Sequence, residues 1–295
     1  MKFPACLSVY LQKNKKYNVC LEIPEEEPMS ADPLFPEVLA MLEKETGIGS
    51  KESWRNCFLL VSKSEHDNEN PTKAFLTDKG ESVFTYADAI NDKRQRGVTM
   101  GLVGFTTADA GKDGHGDAMP LFATYKRLGG PDLAPLAKGC CTDQHAQEAM
   151  IKAVKKAGSD LKWVLAQWSE LFKEGGYLRE TMQAWKKLGI DKPSALAIAV
   201  TFDSALNFGC EGSDGACKFL VKLGKKGDEA ATLEAYCKWK AKVGGKNDYN
   251  SSEKNGKARG DMFGDLVKAK CFSLIDCDKE IKKAVSWKMV YFFLF

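Results

Sequence analysis

Residues 86–117 read YADAINDKRQRGVTMGLVGFTTADAGKDGHGD, in which two polar, acid-bearing segments surround an apolar run. The run is VTMGLVGFT (98–106), which is rich in β-branched and apolar residues and is bounded by polar loops. Such a pattern predicts a short β-strand. The stretch therefore predicts a strand whose flanking loops carry carboxylates.

A second group of acids lies upstream, in Glu65-His66-Asp67-Asn68-Glu69. It follows an apolar stripe that predicts a helix over residues 53–65. Two carboxylates on opposite sides of a cleft are sufficient to cleave a glycosidic bond. The acids of these two regions are therefore candidates for such a pair.

Most of the remaining chain has apolar residues at helical spacing, which predicts helices at 33–47, 83–90 and 118–128. Further helices are predicted at 144–158, 161–175, 178–189, 194–209, 216–224, 229–245 and 258–271. Their Trp and Phe residues are interpreted as core. Residues 1–33, which include EIPEEEP, are predicted to be irregular. The predicted fold class is mainly α (α+β), with one small sheet near 98–106.

The composition is typical of a globular protein with one large or two moderate cores, because 44% of the 295 residues are hydrophobic. The net charge of +3 comes from 43 basic and 40 acidic residues, a balance that argues against nucleic acid as a partner. The chain contains no run of 18 apolar residues, so no transmembrane helix and no membrane partner are predicted. The N-terminal stretch is a poor secretory signal because Pro4 interrupts it.

The ten cysteines include no CxxC pair, and the three histidines lack metal-ligand spacing, so no metal site is predicted. In an oxidising compartment, Cys210 with Cys217 or Cys271 with Cys277 would close short loops. The alternative is that several cysteines are buried small hydrophobic residues. The sequence leaves both interpretations open.

Several segments, in this order, resemble the glycoside hydrolase family 46 chitosanases. That family has an acid ending an apolar helix, an Asp-x-Arg-Gly-x-Thr loop, an apolar Gly-Phe strand and a Gly-Asp pair opening the next helix. The corresponding segments here are LLVSKSE, FTYADAIND, RGVT (96–99), LVGFTT and Gly116-Asp117. The resemblance covers roughly residues 50–290. It implies a lysozyme-like two-lobed helical fold with a small β-sheet beside the substrate cleft.

The resemblance also implies roles for individual residues. Glu65 would be the general acid and Asp92 the general base, and Thr99 would help to hold the attacking water. Arg96 and Asp117 would bind substrate, with Asp117 meeting its ammonium groups.

Three further residues, Asp203, Lys240 and Arg259, would form a buried charge network behind the acid and tune it. From the sequence alone, Asp203 inside an apolar helix already predicts a cationic partner, because an unpaired buried acid is costly. The family usually has Arg at the position of Lys240, and Lys cannot form the planar bidentate pair of Arg.

The chain departs from the family in two other places. The loop Asp92-Lys93-Arg94-Gln95-Arg96 has two residues more than the family's loop, so Arg94 is an alternative to Arg96 as the matching arginine. The loop 107–117 is also longer than in the family. The segment Glu69-Asn70-Pro71-Thr72 matches the family's Glu-Asn-x-Thr motif, so Glu69 is the alternative general acid. Helix register favours Glu65.

The resemblance implies an N-terminal extension and leading helix at 1–48 and a catalytic domain with two lobes at 49–295. It further implies a secreted, monomeric endo-chitosanase that uses no cofactor and inverts the anomeric centre. Two alternatives are a lysozyme-like hydrolase of another amino-sugar polymer and a catalytically silent chitosan- or chitin-binding protein.

Overall fold

The computed structural model describes residues 6–11, 15–20, 34–66, 85–87, 90, 95–109, 111–211, 215–243 and 253–286. The side chains of residues 6–11, 15–20, 62–66, 85–86 and 253–257 lie outside this description. Within these ranges, eleven α-helices dominate, which confirms the mainly α fold. They are α1 (Pro36–Thr46), α2 (Lys51–His66), α3 (Ala118–Arg127), α4 (Gln144–Ala157), α5 (Leu161–Phe172), α6 (Tyr177–Lys187), α7 (Ala195–Phe208), α8 (Ala216–Leu223), α9 (Glu229–Val243), α10 (Glu253–Lys268) and α11 (Asp278–Val285).

The β-structure of the described part is limited to seven short strands in three antiparallel sheets. The strands are β1 (Cys6–Leu11), β2 (Lys15–Cys20), β3 (Thr85–Ala87), β4 (Val98–Met100), β5 (Phe105–Thr106), β6 (Ala108–Asp109) and β7 (Lys112–Asp113). β1 pairs with β2, β6 pairs with β7, and the sheet order of the remaining strands is β3-β4-β5. In that sheet, Thr99 of β4 pairs with Tyr86 on one side and with Thr106 on the other.

Three sequence predictions are wrong in detail. The helix predicted at 83–90 is replaced by β3, because the Thr-Tyr pair at 85–86 suits a strand beside β4. The single strand predicted at 98–106 is a hairpin, since Gly101 and Gly104 both adopt positive φ and turn the chain. Part of the region predicted to be irregular, residues 6–11 and 15–20, forms the antiparallel strands β1 and β2.

Side-chain caps explain where several helices begin. Asp143 and Asp160 accept hydrogen bonds from the N–H groups of residues 145 and 162 at the starts of α4 and α5. Ser194 accepts one from the N–H of residue 197 at the start of α7. These helix starts agree with the sequence prediction because the polar cap residues lie directly before the apolar stripes.

A cysteine pair joins the end of α7 to α8. Cys210 and Cys217 form a disulfide, one of the two pairings that the sequence left open. Cys271 and Cys277 are free thiols, and Cys271 is buried. The structure therefore contains both kinds of cysteine that the sequence allowed. None of the described helices is long and apolar enough to cross a membrane.

An aromatic cluster fixes α2 against the centre of the molecule. Phe58 of α2 lies 5.1 Å from Trp168 of α5 and 5.6 Å from Phe202 of α7, measured between ring centroids, and the tilted and edge-on geometries are the ones that aromatic pairs favour. Trp54, one helical turn before Phe58, also contacts Trp168. The predicted core role of these aromatic residues is confirmed, and the packing sets the direction in which α2 ends.

The β4–β5 turn is held by one buried amide. Gln167 of α5 is fully buried, and its Oε1 accepts a hydrogen bond from the N–H of Leu102 at 2.7 Å. A Cβ at Gly101 would overlap the same oxygen, so the turn approaches the helix as closely as glycine permits. Gln167 thereby ties the small sheet to α5.

Replacement of Gln167 by Leu should destabilise the protein by about 2 kcal/mol, because the buried N–H of Leu102 loses its acceptor. Urea denaturation followed by circular dichroism measures this change. Gln144→Leu, at an exposed site on α4, is the matched control and should change the unfolding free energy by less than about 0.5 kcal/mol. Equal effects of the two substitutions would contradict the role of Gln167.

Candidate active site

Three elements bring Arg96, Asp117 and Tyr177 together, and these three residues are called the Arg96 cluster below. Arg96 lies just before β4, Asp117 is the N-cap residue of α3, and Tyr177 begins α6. Arg96 and Tyr177 are half-buried, whereas Asp117 is exposed. The charge of Arg96 acts on both other side chains, so the three residues form one electrostatic unit.

The carboxyl group of Asp117 is held by Thr106 of β5. Its Oδ1 accepts hydrogen bonds from the backbone N–H of Thr106 at 2.5 Å and from Thr106 Oγ1 at 3.0 Å. Asp117 therefore leaves α3 without a side-chain cap, although it occupies the N-cap position. A Cβ at Gly116 would overlap the Thr106 carbonyl and lie 2.6 Å from the nitrogen of Ala108, so only glycine lets the chain pass this close to β5.

The surroundings of the Arg96 cluster change the pKa values of its two acids. Protein atoms cover part of the Asp117 carboxyl, and this partial desolvation raises its pKa. The hydrogen bonds from Thr106 and the charge of Arg96 oppose that increase. Burial also raises the pKa of the Tyr177 phenol, and the charge of Asp117 adds to the effect. The cluster consequently combines an aspartate and a phenol whose pKa values are both raised with the guanidinium of Arg96.

Thr99 lies beside this cluster in the central strand of the small sheet. Its side chain is buried, and its Oγ1 has no hydrogen-bond partner within the described part of the chain. Buried hydroxyl groups in proteins nearly always have a partner. The hydroxyl of Thr99 is thus available to a water molecule or to a polar group of a ligand.

The predicted catalytic carboxylates lie at or beyond the ends of the segments that the structure describes. Glu65 belongs to the last turn of α2, and its side chain lies outside the described residues. Glu69 and Asp92 lie outside them entirely. Glu65 follows Phe58 by seven residues and Val61 by four, so the three positions share one face of α2.

A buried charge network connects α7, α9 and α10. Asp203, Lys240 and Arg259 are 0%, 1% and 3% exposed, so all three charges are withdrawn from bulk water. The distance from Lys240 Nζ to Asp203 Oδ2 is 2.5 Å, and the distance from Arg259 Nη1 to Asp203 Oδ1 is 3.9 Å. Asp203 thus has the cationic partner that burial of a carboxylate demands.

Lys240 has further contacts that suit an ammonium group. Its Nζ donates a hydrogen bond to Ser204 Oγ at 2.8 Å and lies 5.9 Å and 5.8 Å from the ring centres of Phe208 and Phe263. Cation–π contact with two rings partly compensates the loss of water around a buried ammonium group.

The network reaches α2 through Cys57. Burial raises the pKa of the Cys57 thiol well above its usual value, and the charge of Asp203 raises it further. Cys57 belongs to α2, the helix in which the predicted acid Glu65 also lies.

Two residues of these sites were not predicted from the sequence. Ser204 is a second polar residue inside the apolar α7, which is a signal that could have indicated its link to the network. Tyr177 follows a glycine at a helix start, and no motif distinguishes it from a core residue. Within the described ranges, no group of three or more His, Cys, Asp or Glu side chains is arranged to hold a metal ion.

Removal of the Lys240 ammonium should destabilise the fold strongly. Lys240→Met retains an apolar stem but leaves the buried Asp203 with Arg259 alone, and the unfolding free energy should fall by about 3 kcal/mol. Lys238→Met on the same helix is the control, because Lys238 is exposed and forms a surface pair with Glu234; its effect should stay below about 1 kcal/mol. Thermal and urea unfolding of both variants checks the difference, and similar losses would show that the Lys240–Asp203 pair does not stabilise the fold.

Comparison with known proteins reveals a likeness in structure rather than in sequence. No family profile and no curated protein matches the chain. Among solved structures, the native chitosanase from Bacillus subtilis MY002 is 20% identical, with a TM-score of 0.55 over 76% of this chain and 92% of that one. The GH46 chitosanase from Gynuella sunshinyii in complex with chitotetraose is 16% identical, with a TM-score of 0.56 over 77% and 93%. Chitosanase OU01, crystallised with substrate, is 21% identical, with a TM-score of 0.54 over 75% and 89%. The chain has the fold of these chitosanases.

Proposed function

We propose that this protein is a glycoside hydrolase of family 46, an endo-acting chitosanase that inverts the anomeric carbon of β-1,4-linked glucosamine polymers. Residues 49–295 would form the two-lobed catalytic domain, acting outside the cell as a monomer and without a cofactor. The observation that carries the proposal is the Arg96 cluster, in which a carboxylate is held rigidly at the surface within the fold of known chitosanases.

The chemistry of Asp117 suits a glucosamine substrate. Chitosan is a polycation at mildly acid pH, so a fixed carboxylate attracts its ammonium groups even on a protein with a net charge of +3. Because Thr106 occupies only Oδ1, the other carboxylate oxygen is available to the substrate. Tyr177 and Arg96 would supply hydrogen bonds to neighbouring hydroxyl groups.

The position of Glu65 supports its role as the general acid. In the register of α2 it shares a face with Phe58 and Val61, the side of the helix that packs against the molecule. Within the described residues, the Asp203 network contains two cations and one anion, and a further negative charge beside it would be stabilised by the two cations. Glu65 would supply that charge when ionised, and it would protonate the glycosidic oxygen when neutral.

The base and its water would lie on the other side of the sugar ring. Asp92 would activate the water, and an inverting pair requires about 6.5–9.5 Å between its two carboxyl groups. The buried Thr99 hydroxyl lies close along the chain to Asp92 and would hold the water by a hydrogen bond. This assignment gives the unsatisfied hydroxyl a partner in the working enzyme.

The first test is reducing-end release from soluble chitosan at mildly acid pH by the wild type and by Glu65→Gln and Glu69→Gln. Loss of a general acid should lower kcat about 10²–10⁴-fold, and we expect this loss in Glu65→Gln only. Glu52→Gln is the control, because Glu52 lies in the first turn of the same helix and is exposed.

Each result decides between the interpretations. Loss of activity in Glu69→Gln alone would keep the function and reassign the acid. Binding of chitosan by the wild type without any release of reducing ends would contradict catalysis on this polymer and favour a silent binding protein. A proton NMR spectrum of fresh product tests the stereochemistry, since inversion of a β-linkage first yields the α-anomer.

Asp117→Asn should weaken substrate binding while leaving the catalytic pair intact. Loss of one charge-assisted hydrogen bond to an ammonium group should raise KM for chitosan about tenfold or more. Because burial raises the pKa of Asp117, its carboxylate is lost at a higher pH than that of an unperturbed aspartate, and the KM of the wild type should increase as the pH falls through that pKa. The variant should lack this increase.

Steady-state kinetics at several pH values and two salt concentrations measures the effect of Asp117. Asp191→Asn, at an exposed site between α6 and α7, is the control and should behave as the wild type. An unchanged KM and an unchanged salt dependence in Asp117→Asn would exclude Asp117 from substrate recognition.

A further inference from the structure

The backbone that carries Arg96 is hydrogen-bonded along its length to the segment after β5. Thr107 Oγ1 accepts a hydrogen bond from the N–H of Val98 at 3.0 Å and lies within hydrogen-bonding reach of the Arg96 carbonyl at 3.4 Å. The N–H groups of Thr107 and Ala108 donate to the carbonyls of Val98 and Arg96 at 3.0 Å and 3.1 Å. Thr107 is fully buried, so its hydroxyl serves these internal bonds.

The hairpin formed by β6 and β7 extends this contact to Gln95. The N–H of Gly111, at the hairpin turn, donates to the Gln95 carbonyl at 3.1 Å. The thiol of Cys141 donates to the same carbonyl at 2.9 Å. Gln95 has a φ of 45°, a conformation that L-residues rarely adopt without external support.

The hairpin is itself anchored at its other end. Asp113 of β7 accepts hydrogen bonds from the N–H of Gly139 at 2.8 Å and from the N–H of Cys141 at 3.1 Å. The Asp113 carboxylate therefore joins the hairpin to residues 139–141, and the Cys141 thiol joins the same residues to Gln95.

We propose that Thr107 and the β6–β7 hairpin (108–113) act as a clamp that sets the distance between Arg96 and Asp117, and that Thr107 is a positioning residue for substrate binding. The role in substrate binding rests on the proposed function, whereas the mechanical role stands on the hydrogen bonds alone. Three consecutive residues carry the proposal: Thr106 holds the carboxyl of Asp117, while Thr107 and Ala108 hold the backbone of Arg96.

The clamp has a measurable electrostatic consequence. The charged and titratable groups facing the Asp117 carboxyl are Arg96, from the segment before β4, and Tyr177, from α6; the packing from β5 is through the uncharged Thr106. Arg96 lowers the pKa of Asp117. If the clamp loosens, Arg96 moves away and the pKa of Asp117 rises, so the carboxylate is lost at a higher pH than in the wild type.

Two glycines give a matched pair of variants. Gly111 of the hairpin and Gly189, which follows α6, have φ values of 80° and 74°, so an alanine strains the backbone at both positions. A Cβ at Gly111 would overlap Gln95 Oε1, whereas a Cβ at Gly189 has no heavy atom within 4 Å among the residues that the structure describes. Gly111→Ala therefore forces the Gln95 side chain to move against the hairpin turn, and Gly189→Ala, outside the clamp, is the control for strain.

The experiment is a ¹³C NMR titration of aspartate carboxyl groups, with the Asp117 signal assigned by its absence in Asp117→Asn. We expect the pKa of Asp117 to rise by about half a unit or more in Gly111→Ala and to stay at the wild-type value in Gly189→Ala. Equal pKa values in the two alanine variants, at comparable melting temperatures, would overturn the clamp.

Substitutions of Thr107 test the positioning role independently. Thr107→Val removes the hydroxyl at similar volume, whereas Thr107→Ser retains it. We expect Thr107→Val to raise both the pKa of Asp117 and KM for chitosan, with kcat little changed, and Thr107→Ser to restore wild-type values. A fall in kcat with unchanged KM and unchanged pKa in Thr107→Val would show that Thr107 does not position the Arg96 cluster.

The NMR titration of Asp117 does not require the protein to hydrolyse chitosan. It therefore tests the clamp separately from the proposed chitosanase activity. A shifted pKa in Gly111→Ala together with a wild type that releases no reducing ends would support the clamp and contradict the chitosanase. Active wild-type enzyme with identical pKa values in both alanine variants would support the chitosanase and contradict the clamp.

Discussion

The burial of Asp203 is the constraint on which the arrangement of the helical part depends. α7 is apolar along nearly its whole length and packs in the core, so a carboxylate there is tolerated only with cations beside it. Lys240 and Arg259 supply them, and they come from α9 and α10. One buried acid thereby fixes three helices relative to one another, and the contact of Phe58 with Phe202 aligns α2 on the same framework.

Two different kinds of support hold the two sides of the candidate site. On the side of α2, support comes from buried charge and aromatic packing, which are long-range contacts between helices. On the side of the small sheet, support comes from backbone hydrogen bonds that join residues 95–98 to Thr107, Ala108 and Gly111, and from side-chain hydrogen bonds of Asp113 and Cys141. A displacement of one side therefore need not disturb the other, which suits the proposed site, in which two carboxylates would have separate tasks.

The helices were predictable because a 3.6-residue apolar stripe survives in the sequence wherever a helix packs on a core. The cationic partners of Asp203 were also foreseeable, since the energy of an isolated buried charge allows no other outcome. The short strands were not: β3 has only three residues, and its strand conformation comes from pairing with β4 rather than from a pattern of its own. Tyr177 was missed for a similar reason, because its link to Asp117 joins two segments 60 residues apart in the sequence and leaves no local signature.

The register of the small sheet limits how this part of the chain can change in length during evolution. Tyr86, Thr99 and Thr106 form one row across β3, β4 and β5, and Thr106 continues the row to Asp117. Neighbouring residues of a strand point to opposite faces, so a shift by one residue turns a side chain away from its row. Insertions or deletions in the turn between β4 and β5 that slide the pairing by one residue would carry Thr106 to the wrong face, whereas shifts by two would preserve the row. Length variation at this turn should therefore occur in steps of two residues among relatives that keep the site.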